Sequence, residues 1–307
     1  MEAIERILAY SRSGSADDPA IARALAVSKR WGGRIKLLDV FTDLPPGQES
    51  LLASLEIDDA REEAERERRG ELERIAAHLR ELGTRVEAEL CWGRPVIEIV
   101  REAARGRHQL VVLEDDRGTG MHGSTRAILR ECPVPVWVVK HVPHVPPVRV
   151  LAAVAPDGTP PSPLDRRILR IAAAATETME NAEMHVVHAW QPLHEAIEWL
   201  PDGMRLRTQK SRALQESRER HARWLADLIA HELPRHPGER THLVEGVPGE
   251  AVLDTAEELG ADLIVIGTAR SPEHPGMFVG STAESVIERT PVSLLAIKPE
   301  GFVSPVV

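Results

Sequence analysis

The sequence has little of what marks secreted or membrane-spanning chains. Only two of its 307 residues are cysteines, Cys91 and Cys132, and aromatic residues make up 3%. Two cysteines do not form a disulfide framework in a chain of this length, so we expect two buried thiols in a reducing compartment. No apolar stretch approaches the ~20 residues that a helix needs to span a bilayer. The start, Met1 to Arg6, lacks a signal-peptide pattern, which predicts a cytoplasmic location.

The chain also lacks an excess of positive charge. Its net charge at pH 7 is −10. A non-specific nucleic-acid binder needs a basic face that displaces counterions from phosphates. An anionic membrane surface likewise attracts basic segments. We therefore expect neither nucleic acid nor a membrane as a partner.

What the sequence does contain is an internal duplication. Residues 93–114 align without gaps on residues 246–267, an offset of 153 residues. Further along, Lys140 matches Lys298, with a slightly larger offset. A drifting offset is typical of copies whose loops differ while their strands and helices persist.

The duplication and the length together predict two domains. A chain of 307 residues suggests two domains of about 150 residues each. We place copy one at residues 1–141 and copy two at residues 148–307. The proline-rich segment 141–148 between them cannot continue a strand or a helix.

Each copy has apolar runs that alternate with helical patterns. The expected strands are residues 7–9, 35–40, 86–91, 110–113 and 134–139 in copy one, and 150–154, 184–189, 242–245, 263–267 and 292–297 in copy two. The expected helices begin near residues 19, 60, 95 and 124, and near residues 165, 208, 249 and 281. This order predicts an α/β fold made of two tandem doubly wound, five-stranded parallel-sheet domains that are Rossmann-like. Ligands of such sheets bind beyond the carboxyl ends of the strands, where the strand order reverses.

The loop after strand four of copy two has the residues of an anion site. Its candidate binding residues are Gly267, Thr268, Arg270, Gly280, Ser281 and Thr282. Gly267 would let the chain turn off the strand end, and Gly280 would let the backbone approach a phosphate. Ser281 and Thr282 open a helix, whose first N–H groups and positive dipole end attract anions.

This segment resembles the ATP signature of the universal stress protein family, G-x-x-G-x9-G-[ST]. Gly267, Gly280 and Ser281 match the signature, whereas Arg270 stands at the second glycine. The segments HVVHAW (residues 185–190), CPVPVWVVK (132–140) and LLAIKPEGFVSPV (294–306) are similar to tandem members of the UspE type. The resemblance covers both copies. It implies an adenine nucleotide α-hydrolase-like fold, a stress-response role and an ATP site in copy two without a required metal.

Two interpretations of Ser281 stand side by side. Ser281 and Glu284 form the pattern S-x-x-E, a capping box that needs no ligand. Alternatively, Ser281 caps the helix and also contacts a phosphate.

Other positions depart from what the resemblance implies. Family members that bind ATP have an aspartate at the end of strand one, where this chain has Arg12 and Ala155. Asp157 lies two residues further on and is a candidate substitute, or simply a turn residue. On strand two, Ala189 falls at the adenine side, compatible with a flat base or with plain core.

Copy one departs further, because Glu114, Asp115 and Asp116 stand where copy two begins its glycine loop. Three carboxylates facing a triphosphate would repel it. We therefore predict that copy one does not bind ATP in the family's manner. The acidic loop is expected to be a solvated turn, with a divalent metal as the alternative.

The histidines and one long connection complete the candidates. His185 and His188 point to opposite faces of a strand and cannot share one metal. His188 and Trp190 share a face near the expected cleft. The connection at residues 191–207 is long enough for a lid, with plain packing as the alternative.

Three functions remain on the sequence alone. The first is a non-enzymatic binding protein, since nothing places a general base beside the phosphate loop. The second is an adenylating enzyme of the nucleotide α-hydrolase-like class, because residues 11–15 superficially resemble a pyrophosphate loop. The third is a structural tandem without a ligand. The resemblance further implies that the last strands pair the two copies as an intramolecular pseudo-dimer, to which a homodimer could be added.

Overall fold

The computed structural model describes residues 4–11, 18–42, 57–116, 118–140, 146–158, 160–191, 204–268 and 280–307. For residues 57–60 and 204–211 only the backbone is described. This part of the chain contains ten strands and eight α-helices. Its helices include none long and apolar enough to cross a membrane.

Strands and helices alternate in the first copy. The strands are β1 (Arg6–Tyr10), β2 (Arg34–Phe41), β3 (Arg85–Trp92), β4 (Leu110–Glu114) and β5 (Val136–Val139). The helices are α1 (Pro19–Trp31), α2 (Ile57–Glu81), α3 (Pro95–Arg105) and α4 (Gly123–Glu131).

The second copy repeats this order. Its strands are β6 (Val148–Val154), β7 (Ala182–Trp190), β8 (Thr241–Glu245), β9 (Leu263–Gly267) and β10 (Ser293–Ile297). Its helices are α5 (Pro163–Thr176), α6 (Met204–Glu232), α7 (Pro248–Leu259) and α8 (Ser281–Arg289), with a short 3-10 turn at Gly238–Arg240.

All ten strands form one sheet in the order β3-β2-β1-β4-β5-β10-β9-β6-β7-β8. Neighbouring strands are parallel within each copy, whereas β5 and β10 pair antiparallel, with Trp137 opposite Leu295. The predicted fold class and the predicted pairing of the last strands are therefore confirmed. The two five-stranded layers are continuous with each other across this antiparallel pair.

The local sequence explains why these elements form. Residues 110–113 of β4 are all buried, because helices cover both faces of the sheet. Asp18 caps α1 by accepting a hydrogen bond from the Ala20 N–H at 2.8 Å. Gly32 ends α1 in the left-handed region, with φ at 71°. Predicted bounds differ from the observed ones by up to four residues: the long helix of copy two begins at Met204 rather than near residue 208. β5 begins at Val136 rather than residue 134, after Pro135, which has no N–H to donate.

Two buried lysines hold the copies together. The Lys140 ammonium donates to the Thr290 carbonyl at 3.0 Å, at the C-terminal end of α8. The Lys298 ammonium donates to the Arg130 carbonyl at 3.0 Å, in the last turn of α4. Burial lowers the pKa of Lys298 to about 8. These aligned lysines thus satisfy helix-end carbonyls of the opposite copy.

Candidate functional site

The carboxyl edge of copy two brings together the ends of β6, β7 and β9. β6 lies between β7 and β9, so the strand order reverses beside it. The last registered pair of β6 and β9 is Ala153 with Ile266, and β7 adjoins β6 with His188 opposite Val154. Residues that follow β6 and β9 are consequently neighbours at this edge. This is the crevice where doubly wound sheets bind ligands.

Ala155, directly after β6, has a carboxylate beside its backbone. Its N–H donates to Asp165 Oδ1 at 2.9 Å. Asp165 is 4% exposed and also accepts the Ser162 hydroxyl at 2.7 Å. A carboxylate from the start of α5 therefore lies at the strand end, although position 155 itself is alanine. Sequence analysis missed Asp165 as a site residue, and its signal was the S-x-x-D pattern of Ser162 and Asp165.

Packing against neighbouring elements restricts which side chains fit at the end of β9. A Cβ atom on Gly267 would lie 2.8 Å from Leu164 Cδ2, so α5 leaves no room for a side chain. Gly267 is the last residue of β9 and its φ lies outside the positive region, so packing rather than a left-handed backbone accounts for the glycine. Thr268 is fully buried, and its hydroxyl donates to the Ile297 carbonyl at 3.4 Å. A ligand contact for Thr268 stays a prediction.

The start of α8 has no side-chain cap among the described residues. Gly280 is the N-cap, so Ser281 is the first helical residue. The capping box predicted for Ser281 and Glu284 is wrong, since the helix starts one residue earlier and Glu284 pairs with Arg130. The Gly280 N–H donates to the Thr268 carbonyl at 2.9 Å, which fixes the helix start against the strand end. Ser281 is exposed and Thr282 half-buried.

Of the three remaining predicted binding residues, the structure describes two, Ala189 and Asp157. Ala189 is half-buried on β7, opposite Val244. Asp157 is exposed in the chain after β6. Arg270 lies outside the described residues, as do Arg12 and most of the predicted lid at residues 191–207.

The acidic loop of copy one is more than the solvated turn that we predicted. The Asp115 side chain is fully buried. Its Oδ2 accepts the His122 backbone N–H at 2.8 Å, and its Oδ1 lies 2.9 Å from His122 Nδ1. A carboxylate thus stands at the start of α4, where its charge favours the positive end of the helix dipole.

The same loop offers candidate metal ligands. Ligand atoms of Asp115, Asp116 and His122 lie within 4.8 Å of one another, which among the described residues is the one such group. The Asp115–His122 contacts are also those of a plain hydrogen-bonded turn. The metal alternative of the sequence analysis stays a prediction.

A cavity of about 820 Å³ lies at the carboxyl edge of copy one. Its lining includes Tyr10, Phe41, Arg68, Arg94, Glu114 and Ser124. Of the three acidic loop residues only Glu114 lines it, and the predicted lack of ATP binding by copy one stays a prediction. Asp115 is turned instead toward His122.

Sequence analysis missed a matched pair of contacts between strand two and the long helix of each copy. In copy one, Arg68 binds the buried Asp39 carboxylate through Nε at 2.5 Å and Nη2 at 2.9 Å. In copy two, His188 Nε2 lies 2.8 Å from His221 Nδ1. The signal was available, because Arg68 and His221 are also 153 residues apart.

The tautomers of the histidine pair follow from its contacts. His188 Nδ1 lies 3.1 Å from the Val154 carbonyl and therefore donates its proton there. Its Nε2 is then the acceptor for the His221 Nδ1–H. His221 also lies 5.7 Å, centroid to centroid, from Trp190, so the predicted shared face of His188 and Trp190 is confirmed. Burial lowers the pKa of His221, and the charge of Arg220 adds to this.

The remaining predictions concern thiols and metal-binding histidines. Both cysteines are free; Cys132 is buried as expected, whereas Cys91 is half-buried. Burial raises the pKa of Cys132 to about 12 and that of Cys91 to about 11, so both are protonated at neutral pH. His185 bonds His242 at 3.0 Å while His188 bonds His221, which confirms that they do not share a site.

Comparisons with known proteins agree with this architecture. The model of the universal stress protein family matches residues 4–140 and 149–298. Universal stress protein E of Photorhabdus laumondii is 30% identical over 309 residues, covering 94% of this chain and 93% of the relative. Universal stress protein E of Escherichia coli is 28% identical over 310 residues, covering 94% and 92%.

Solved structures show the same fold. A universal stress protein from Archaeoglobus fulgidus has a TM-score of 0.62 at 22% identity, covering 97% of this chain and 99% of its own. A functionally unknown protein from Pseudomonas aeruginosa has a TM-score of 0.67 at 19% identity, covering 98% and 94%. With its two matched domains and its paired five-stranded layers, the chain belongs to the universal stress protein family.

Proposed function

We propose that this protein acts in the stress response without catalysis, by holding a nucleotide-type ligand such as ATP at the carboxyl edge of copy two. The single observation that carries the proposal is the start of α8. Among the described residues no side chain caps its first N–H groups, and the Gly280–Thr268 hydrogen bond places them beside the strand crevice. Unpaired N–H groups at the positive end of a helix bind phosphate oxygens.

The space around Gly280 supports this assignment. A Cβ atom on Gly280 would meet no described atom within 4 Å. Its φ is −57°, so the backbone conformation does not require glycine either. Glycine also allows a ligand to approach the backbone closely, and both observations are compatible with that role.

The ligand contacts that we propose span the crevice. Ser281 and Thr282 would bind the phosphates, with Gly267 and Thr268 shaping the floor. Ala155, with Asp165 behind it, and Asp157 would face the ribose, and Ala189 the base. Arg270 would add a cation to the phosphate side.

A matched pair of variants tests which copy binds. Gly280→Asp and Gly123→Asp place a carboxylate at aligned helix starts, and a Cβ atom meets no described neighbour at either glycine. In equilibrium dialysis with labelled ATP, we expect Gly280→Asp to lose binding and Gly123→Asp to retain it. Loss only in Gly123→Asp would assign the ligand to the cavity of copy one. Equal binding by all three proteins, or no binding by any, would remove the proposed site.

The adenylating alternative makes a different prediction. Ser11, the first residue of its suggested pyrophosphate loop, donates its hydroxyl to Asp18 Oδ2 at 3.0 Å, within the chain. We expect no pyrophosphate release when the protein is incubated with ATP and candidate acceptors. Release that persists in wild type but not in Gly280→Asp would favour the enzyme instead.

A further inference from the structure

A second cavity lies between the two copies, away from the carboxyl-edge site. Its volume is about 490 Å³. Trp137 of β5 and Leu295 of β10, which face each other across the antiparallel pair, both line it, and α5 contributes one wall. Of the proposed nucleotide-contacting residues that the structure describes, none lines this cavity. We call this cavity the inter-copy groove.

The groove has the size and composition of a small-molecule site. Ligand cavities are typically about 300–1,000 Å³, mostly apolar, and often lie at domain interfaces. Its apolar walls include Ile4, Trp31, Ile171, Ala174 and Ala175. A flat or branched hydrocarbon body would bury its surface there.

Two residues that line the groove have buried nitrogen atoms without a hydrogen-bond partner among the described residues. The side chain of Trp137 is 2% exposed, and its Nε1 has no hydrogen-bond partner. His108 is 7% exposed, and its Nδ1 also has none, although its Nε2 contacts Glu102 at 2.9 Å. A buried polar group without a partner costs roughly 1–3 kcal/mol, so such groups are rare. For the Trp137 N–H, which can only donate, the missing partner is an acceptor atom.

The charges around the groove favour an anion. Arg167 lines it and donates to the Lys298 carbonyl at 2.8 Å, with no carboxylate partner among the described residues. Arg23 is not a lining residue, but its guanidinium carbon lies 4.9 Å from the centre of the Trp137 ring, and its Nε has no hydrogen-bond partner in the part of the chain that the structure describes. The two arginines are related by the duplication, since each stands four residues after the proline that opens its helix.

The other charged wall residues do not cancel this excess. Arg170 already has a carboxylate partner, Glu232, which it binds at 2.6 Å and 3.1 Å and which Arg166 also approaches. Glu300 is exposed at the rim. In the part of the chain that the structure describes, neither Arg167 in the lining nor Arg23 behind Trp137 has a carboxylate partner, and the indole N–H has no acceptor. These donors call for an acidic oxygen.

We propose that the inter-copy groove binds an amphipathic organic anion, with an apolar ring body against the walls and one acidic group toward Arg167 and Trp137. Because β5 and β10 supply its floor, the site exists only where the two copies are joined. The ligand would contact both copies at once and stabilise their antiparallel pairing by mass action.

Anilinonaphthalene sulfonate is a suitable probe, because its fluorescence rises on transfer from water to an apolar site. N-phenylnaphthylamine has a similar aromatic body without the sulfonate. We expect the full chain to bind the sulfonate roughly tenfold more tightly than the uncharged analogue, the value of one charged hydrogen bond. Equal affinity for the two dyes would overturn the anionic assignment.

Substitutions of groove residues test whether the probe binds in the inter-copy groove. Arg167→Gln should weaken sulfonate binding by roughly tenfold and leave the uncharged dye unaffected. Arg166→Gln, one residue away and outside the groove lining, is the matched control and should bind as wild type. Ile171→Trp fills the groove and should weaken both dyes, with circular dichroism confirming its fold.

The outcomes also separate this proposal from the nucleotide site. Gly280→Asp should bind the sulfonate as wild type does, whatever it does to ATP binding. Unchanged sulfonate affinity in both Arg167→Gln and Ile171→Trp would overturn the groove as the site.

Discussion

The two copies keep the same contact between strand two and the long helix but make it from different chemistry. Copy one uses the ion pair of Asp39 and Arg68, whereas copy two uses His188 and His221 at the corresponding places. The pair in copy one is charged, and the pair in copy two is neutral when both imidazoles are deprotonated. The two copies thus have a side-chain contact at the same place, but it is an ion pair in copy one and a hydrogen bond between two histidines in copy two.

The carboxyl edges differ in a similar way. In copy one a side-chain carboxylate, Asp115, accepts the N–H at the helix start, whereas in copy two the Thr268 carbonyl does so. Copy one therefore has a carboxylate at a place where the described residues of copy two offer a backbone carbonyl. This difference favours copy two for an anionic ligand, even though copy one has the cavity of about 820 Å³.

Removing the strand–helix contact should change the free energy of unfolding by different amounts in the two copies, and this is the largest difference that we expect between them. Arg68→Met leaves the Asp39 carboxylate, whose side chain is 2% exposed, without its partner. Removing one partner of a buried ion pair costs roughly 3–5 kcal/mol, and since the Arg68 side chain is 35% exposed we expect about 3 kcal/mol. His221→Met, which removes a hydrogen bond between neutral groups, should cost about 1 kcal/mol. Urea unfolding measures both; equal losses would contradict the comparison.

The strand ends provide a second test. Position 114 accommodates glutamate in copy one, but a Cβ atom at its counterpart Gly267 would lie 2.8 Å from Leu164 Cδ2 and 3.1 Å from Ile168 Cδ1. Gly267→Ala should therefore lower the free energy of unfolding by about 1–3 kcal/mol through overpacking. The control is Gly280→Ala, where no described atom is close, and it should change stability by less than about 1 kcal/mol. If Gly267→Ala left the free energy of unfolding unchanged, α5 would have to shift easily to make room for the methyl group.

The pH dependence of stability should show the smallest effect. The folded pKa of His221 is lowered, so the unfolded chain, with a histidine pKa of about 6.5, binds the proton first. Its contribution is present above about pH 6.5 and is lost as pH falls below that value. Burial also lowers the pKa of His236 and His242 in copy two and of His108 in copy one.

His221→Gln should accordingly make the decline of the melting temperature between about pH 7 and pH 5 shallower. His78→Gln, on the exposed face of α2, is the control and should leave the decline unchanged. If the two variants and wild type decline in parallel, the histidine pair of copy two does not act as a titratable contact.

Local patterns predicted the elements well and their contacts poorly. The apolar runs of β4 and β9 identified buried parallel strands, because burial on both faces leaves a continuous apolar sequence. The S-x-x-E pattern misplaced the start of α8, since Gly280 is held by Thr268, a residue on another element. The sequence predicted a solvated turn at residues 114–116, because the adjacent residues in the sequence do not indicate that the Asp115 side chain is buried.

By itself the sequence determined the duplication, the five-stranded parallel layer of each copy and the family. These follow from short-range periodicity and from the alignment of one half of the chain with the other. Only the tertiary structure decided that Arg68 meets Asp39, that Asp165 stands beside Ala155, and that the groove between the copies contains a Trp137 N–H with no acceptor among the described residues. Such contacts join residues far apart along the chain, and their distances depend on how helices pack over the sheet.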